Sequence, residues 1–104
     1  MHKAGDVVLA QIQFTDTFET KVRPVLVLFE EYDTIVVSGI TSNKEMQGIK
    51  LTKKDGAIKD SIIKLNYIFT ISKMMVQKTL FSLSKEKKLE VYKELMKKLN
   101  YFNQ

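Results

Sequence analysis

One arginine and one proline occur in this chain of 104 residues, and they are adjacent: Arg23-Pro24, in a chain with sixteen lysines. Arginine differs from lysine in presenting a planar fork of donors suited to a carboxylate or a phosphate. Proline fixes its own φ, lacks an N–H and pushes the residue before it toward extended geometry. Pro24 is therefore expected to open a strand and to hold Arg23 extended at its mouth. A surface arginine beside a strand-starting proline reads the same residues without chemistry. A second polar group, Thr41-Ser42-Asn43, follows another apolar stretch. Turn-capping hydroxyls are its plain reading. Arg23 stands nine residues before Tyr32 and Thr41 nine after it, and a short turn is expected at Glu31–Asp33. In a regular hairpin, residues equally far from the turn lie opposite each other. That count puts the guanidinium and the Thr41 hydroxyl at the same end of neighbouring strands. Such a pair suits a phosphodiester whose non-bridging oxygens gain charge as an internal 2′-hydroxyl attacks. RNA carries that nucleophile and DNA does not.

The elements that must position the pair can be read from periodicity. Asp6 to Gln13 alternates, with a slip, as a first strand. Thr15 to Val22 is mostly polar and reads as a loop. Arg23 to Glu30 contains the unbroken Val25-Leu26-Val27-Leu28-Phe29, as in a central strand. Thr34 to Ile40 forms the third strand, where Gly39 suggests a bulge or a close backbone approach. Ile49 and Leu51 suit a short edge strand before the Lys53-Lys54-Asp55-Gly56 turn. Ser61 to Leu65 and Tyr67 to Ser72 read as two strands, with a further short piece over Met74 to Leu80. A helix over about 84–100 is expected, N-capped by Ser84. Leu89, Tyr92, Met96 and Leu99 recur at helical spacing, with Val91, Leu95 and Phe102 alongside, and the helix is expected to lie on the sheet as a core-facing lid. The fold class is mainly β with a C-terminal helix: five to seven short strands in a small, strongly bent barrel, within one domain spanning 1–104.

Composition narrows the chemistry. There is no cysteine, so disulfides and thiolate metal sites are excluded. The one histidine, His2, is expected at a mobile N-terminus, so neither a metal site nor histidine acid–base catalysis is expected. No apolar run suits a membrane span, and the N-terminus lacks a signal-peptide core; the expected location is the cytoplasm. Residues 1–52 carry five basic and seven acidic side chains, and residues 53–104 twelve and five. The basic second half suits a nucleic-acid partner or a solvated lysine face. Lys53, Lys54 and Lys59 form a basic patch. Tyr67 and Phe69 suit base stacking or core packing.

With these residues in view, the chain resembles the MazF/PemK family of toxin endoribonucleases. The resemblance rests on GDVVLAQIQFTDTFETKVRPVLVL (Gly5 to Leu28), GITS (Gly39 to Ser42) and DSIIKLNYIFTISK (Asp60 to Lys73), with Ser82 to Ser84 leading into the terminal helix. It implies an SH3-like barrel that dimerises. It implies metal-independent, cofactor-free cleavage of single-stranded RNA, leaving 2′,3′-cyclic phosphate and 5′-hydroxyl ends. It also implies an antitoxin peptide as partner. The family's catalytic arginine falls on Arg23 and its threonine on Thr41. The flanking loops supply the expected RNA contacts: Phe14, Thr15, Asp16 and Lys21 on one side, Ser42, Asn43 and Lys44 on the other. Many relatives carry Arg-Thr-Ile-Asp where this chain has Phe69-Thr70-Ile71-Ser72. A barrel that binds RNA or an antitoxin-like peptide with weak or no catalysis is therefore an alternative. A topoisomerase poison, the activity of a related barrel family, ranks third, since its C-terminal residues find no match.

Overall fold

A computed structural model describes residues 2–13, 19–43 and 45–104. Six strands, β1 (Asp6–Gln13), β2 (Thr20–Glu31), β3 (Thr34–Thr41), β4 (Ile49–Leu51), β5 (Ser61–Ser72) and β6 (Val76–Ser82), precede one helix, α1 (Lys85–Leu99). All are paired antiparallel in the order β4-β5-β3-β2-β1-β6. The fold class is therefore mainly β with a C-terminal helix, in a curled half-barrel.

Curling follows from two apolar faces on one sheet. Val8, Ala10, Ile12, Val25, Val27, Ile35 and Val37 bury one face. Val7, Leu26, Ile49, Leu51, Ile63, Leu65 and Leu83 bury the other, with Val91 of α1. Edge strand β4 supplies Ile49 and Leu51 to this second cluster, while Leu80 and Phe81 of the opposite edge, β6, pack against it. The two edges thus share one core although they do not pair. Val25, Leu26 and Val27 are all about 1% exposed, as expected of a central strand, but the burial does not extend to Phe29 at the end of the run, which is 50% exposed.

Several boundaries differ from the reading of the sequence. β2 begins at Thr20, so Thr20, Lys21 and Val22 are strand rather than loop, and Pro24 lies inside the strand. Its missing N–H is tolerated because the β2–β3 ladder stops at Val25–Gly39, while the β1–β2 ladder runs on to Gln13–Thr20. The expected bulge at Gly39 shows in the β3–β5 pairing, which jumps from Ser38–Ile68 to Gly39–Lys64. Leu65, Asn66 and Tyr67 are looped out there. The two strands expected on either side of Asn66 are thus one strand, β5, with a kink.

The helix starts as expected: the Ser84 hydroxyl oxygen accepts from the Lys87 N–H at 3.1 Å. It docks by only part of the expected apolar set. Val91 is its buried residue and Leu95 packs beside it, whereas Leu89, Tyr92, Met96 and Leu99 remain about half exposed and Phe102 is exposed. The longer stripe therefore faces outward. Lys87 fixes the rotation, donating to the Lys50 carbonyl at 3.0 Å and pairing with Glu90 at 3.3 Å. No described helix is long and apolar enough to cross a membrane.

Candidate functional site

The hairpin brings Arg23 and Thr41 together. Glu31 pairs with Thr34 across the two-residue turn Tyr32-Asp33, and a bulge near Leu28 then shifts the register by one. Beyond it Val27 faces Val37 and Val25 faces Gly39. The ladder ends at that pair, and Arg23 and Thr41 lie two residues beyond it on their own strands, at the same end of the hairpin.

Both residues line a groove of about 990 Å³. Its walls come from the ends of β1 and β2, the last residues of β3 and most of β5. Arg23 is exposed and donates from Nη1 to the Val22 carbonyl at 3.2 Å. Its β1 partner is Ala10, and among the described residues no carboxylate pairs with it. The Thr41 hydroxyl oxygen accepts from the Asn43 N–H at 3.1 Å. The turn-capping role is therefore real, yet the hydroxyl keeps its own proton to donate. Asn43 Oδ1 accepts in turn from Glu45 N at 3.1 Å, so successive side chains stiffen the loop behind Thr41.

The groove's electrostatics are simple. Of the described residues lining it, Arg23 and Lys64 carry charge, and the rest are neutral. Lys64 escaped sequence reasoning, although a lone lysine inside Ile62-Ile63-Lys64-Leu65 is a visible signal. It is only 9% exposed, and its Nζ donates to the Gln47 carbonyl at 2.9 Å. Tyr67, 53% exposed, lines the groove with its ring centroid 5.6 Å from that Nζ. Phe69 also lines it while packing on the Val25–Val37 cluster, so stacking and core roles meet there. Gly39 lies against Tyr67, where a Cβ would come within 3.4 Å of the tyrosine Cβ.

The groove is open and carries two cations and a hydroxyl donor among its described residues. Among the described residues no three His, Asp or Glu side chains gather at one point. The sequence pattern of the family described as PemK-like, MazF-like toxin of type II toxin–antitoxin system matches residues 3–99. The chain belongs to that family. A toxin of this kind is one half of a pair, so an antitoxin partner follows. A comparison with curated protein sequences gave no match.

The remaining residues of this MazF/PemK-family chain fall into place unevenly. Ser42 lines a second, shallower cavity of about 500 Å³ with Lys53, Lys59 and Asp60, adjoining the groove through its neighbour Thr41. Asn43 is exposed and serves the loop. Lys21 stands on β2 opposite Ile12 and pairs with Glu19 at 3.4 Å. Phe14, Thr15, Asp16 and Lys44 lie outside the described residues. His2 is tied down: its backbone N donates to Glu30 Oε1 at 3.4 Å. Glu30 is seven residues along β2 from Arg23, ~20 Å at the rise of a strand, so this histidine stands far from Arg23.

The family's Gly-Asp start has a structural cause. Gly5 N donates to the Val27 carbonyl, and the Gly5 carbonyl accepts from Leu83 N, both at 2.9 Å. Asp6 accepts from Lys3 N at 3.1 Å and from the Ser82 hydroxyl at 2.7 Å. Burial pushes the Asp6 pKa up, but these two hydrogen bonds and the charges of His2 and Lys3 outweigh it and hold it below the ordinary 3.8. Asp6 therefore stays an anion and ties β1 to β6.

Proposed function

We propose that this toxin is an endoribonuclease that cuts single-stranded RNA without a metal ion or cofactor. The observation that supports the reading best is that Arg23 and Thr41, at the same end of the β2–β3 hairpin, line one cationic groove. In the proposed step the ribose 2′-oxygen forms a bond to phosphorus as the phosphorus–O5′ bond breaks. The 2′-hydroxyl proton is lost to water and the leaving 5′-oxygen takes a proton from water. The products carry a 2′,3′-cyclic phosphate and a 5′-hydroxyl. Arg23 holds the non-bridging oxygens through its fork, and the Thr41 hydroxyl donates to the charge that develops there. Electrostatic stabilisation suits Arg23 better than proton transfer, because a guanidinium keeps its proton with a pKa above ~12. Ser42, Asn43 and Lys21, with Phe14, Thr15, Asp16 and Lys44, are proposed to contact the RNA beyond the scissile phosphate. Lys53 and Lys59 extend a positive track past Ser42.

An RNA with a single 2′-deoxy sugar at the cut position tests the step. It should bind and remain whole, while the all-ribose strand yields a cyclic-phosphate end by mass in the presence of chelator. Cleavage of the deoxy strand at that position would refute the mechanism. A second reading, a barrel that binds RNA or an antitoxin-like peptide without cutting, is favoured by one observation: Phe69 and Ser72 leave that stretch of the groove uncharged. RNA binding with no product across a random-sequence pool would establish it.

The protein is proposed to act on messenger RNA in the cytoplasm as a homodimer. The outward stripe of Leu89, Tyr92, Met96 and Leu99 supports a second copy, since apolar patches of this kind are usually covered. Met96→Lys should then give a monomer by light scattering, and an unchanged dimer would place the interface elsewhere. The antitoxin is proposed to lay a peptide segment in the same groove, which would exclude RNA.

A further inference from the structure

We infer that Lys64 binds a phosphate of the RNA and is the second anchoring cation of the groove, an inference that rests on reading the groove as a ribonuclease site. The geometry begins with the kink in β5. Lys64 pairs with Gly39, and Gly39 faces Val25 on its other side. Thr41 occupies the next row on the same face, with Ile62 opposite it, and Arg23 lies two residues before Val25 on β2. Lys64 is thus the diagonal neighbour of Thr41, a relation that spans ~7–8 Å and is within reach of a long side chain. Ser38 sets the kink: fully buried, its hydroxyl donates to the Lys64 carbonyl at 2.7 Å.

The charge of Lys64 is under-compensated. An ammonium taken out of water is costly unless an anion meets it. Among the described residues no carboxylate pairs with Lys64. Its hydrogen-bond acceptor is the neutral Gln47 carbonyl, and the Tyr67 ring adds only a weak attraction. An ammonium has three donors, and one is spent on Gln47. Among the described residues no acid lines the groove, so a ligand phosphate is the charge that completes the site. The Gln47 bond also gives Lys64 a structural duty, since it ties down the loop that follows Thr41.

Salt dependence separates the two duties. A random single-stranded RNA pool first locates a cut, and a short strand carrying that sequence with one 2′-deoxy sugar at the cut then serves as the binding probe. Lys64→Gln keeps a donor for the Gln47 carbonyl and removes the charge. Its plot of log affinity against log salt should lose ~0.7 of slope, equal to about fivefold weaker binding at 0.1 M salt. Lys64→Arg should keep the native slope. A native slope in folded Lys64→Gln would overturn the inference, leaving Lys64 a strut for the loop. Should Lys64→Gln fail to fold, a lowered slope in Lys64→Arg would overturn it alone. The two readings fail differently. A native protein that neither binds nor cuts the pool removes the proposed function and this inference together, whereas cleavage with an unchanged slope in Lys64→Gln removes only the inference.

Discussion

Replacing Arg23 by alanine removes one of the two charges that line the groove while taking little from the fold. Arg23 is exposed, its one described hydrogen bond goes to the adjacent Val22 carbonyl, and its β1 partner is Ala10. The backbone ladder to β1 does not depend on its side chain. The change in folding stability should therefore stay within ~0.5 kcal/mol, as for a surface substitution. The effect on the chemistry should be much larger. A preorganised donor aimed at developing charge contributes ~10²–10³ in rate, or about 2.7–4 kcal/mol. Arg23→Lys keeps the charge and loses the fork, so it should fall between native and alanine. The assay is single-turnover cleavage of a labelled single-stranded RNA with chelator, alongside thermal unfolding of each variant. If folded Arg23→Ala cuts within about threefold of the native rate, worth only ~0.65 kcal/mol, Arg23 does not stabilise the transition state and the mechanism is wrong.

Other predictions concern what holds the site. Val91→Ala should lower stability by about 1.5–2.5 kcal/mol, because Val91 is the buried residue of α1. Leu89→Ser on the outward stripe should change the unfolding of the monomer by less than ~0.5 kcal/mol, and comparable losses in urea titrations would mean the helix docks by its stripe. Tyr32 adopts a φ of 55° and is largely exposed, so Tyr32→Asn should raise the melting temperature by relieving up to ~1 kcal/mol of left-handed strain. A lower melting temperature would show that the ring stabilises the turn. Acid sensitivity should begin at the carboxylates. Burial pushes Glu30 up, but hydrogen bonds from Lys73 and the His2 N–H, and the Lys73 charge, bring it below its ordinary 4.5, as Asp6 lies below 3.8. Lowered folded values give stability that is complete above those ordinary values and is lost as pH falls through the folded ones. Urea midpoints should thus be level from neutral pH to about 5 and drop below 4.5. Asp6→Asn should flatten the part below 3.8, and an unchanged acid slope would remove Asp6 from the account.

The sequence alone decided what depends on near neighbours. Alternation and apolar runs placed the strand segments to within a few residues, though they split β5 in two at Asn66, and Ser84 marked the helix start, because these signals act over a single turn or pleat. Arg23 and Thr41 could be set at the same end of neighbouring strands from the sequence because one short hairpin joins them. Lys64 could not be placed this way. Its position beside Thr41 depends on β3 pairing with β5 more than twenty residues on, and on Leu65-Asn66-Tyr67 being looped out, which no local periodicity encodes. The helix shows the same limit. Val91 and the Leu89-Tyr92-Met96-Leu99 stripe are both apolar at helical spacing, and the stripe is the longer. Which face packs was decided by the open core between β4 and β6 and by Lys87 reaching the Lys50 carbonyl. Local chemistry therefore determined which residues could act, and tertiary pairing decided which of them share the groove.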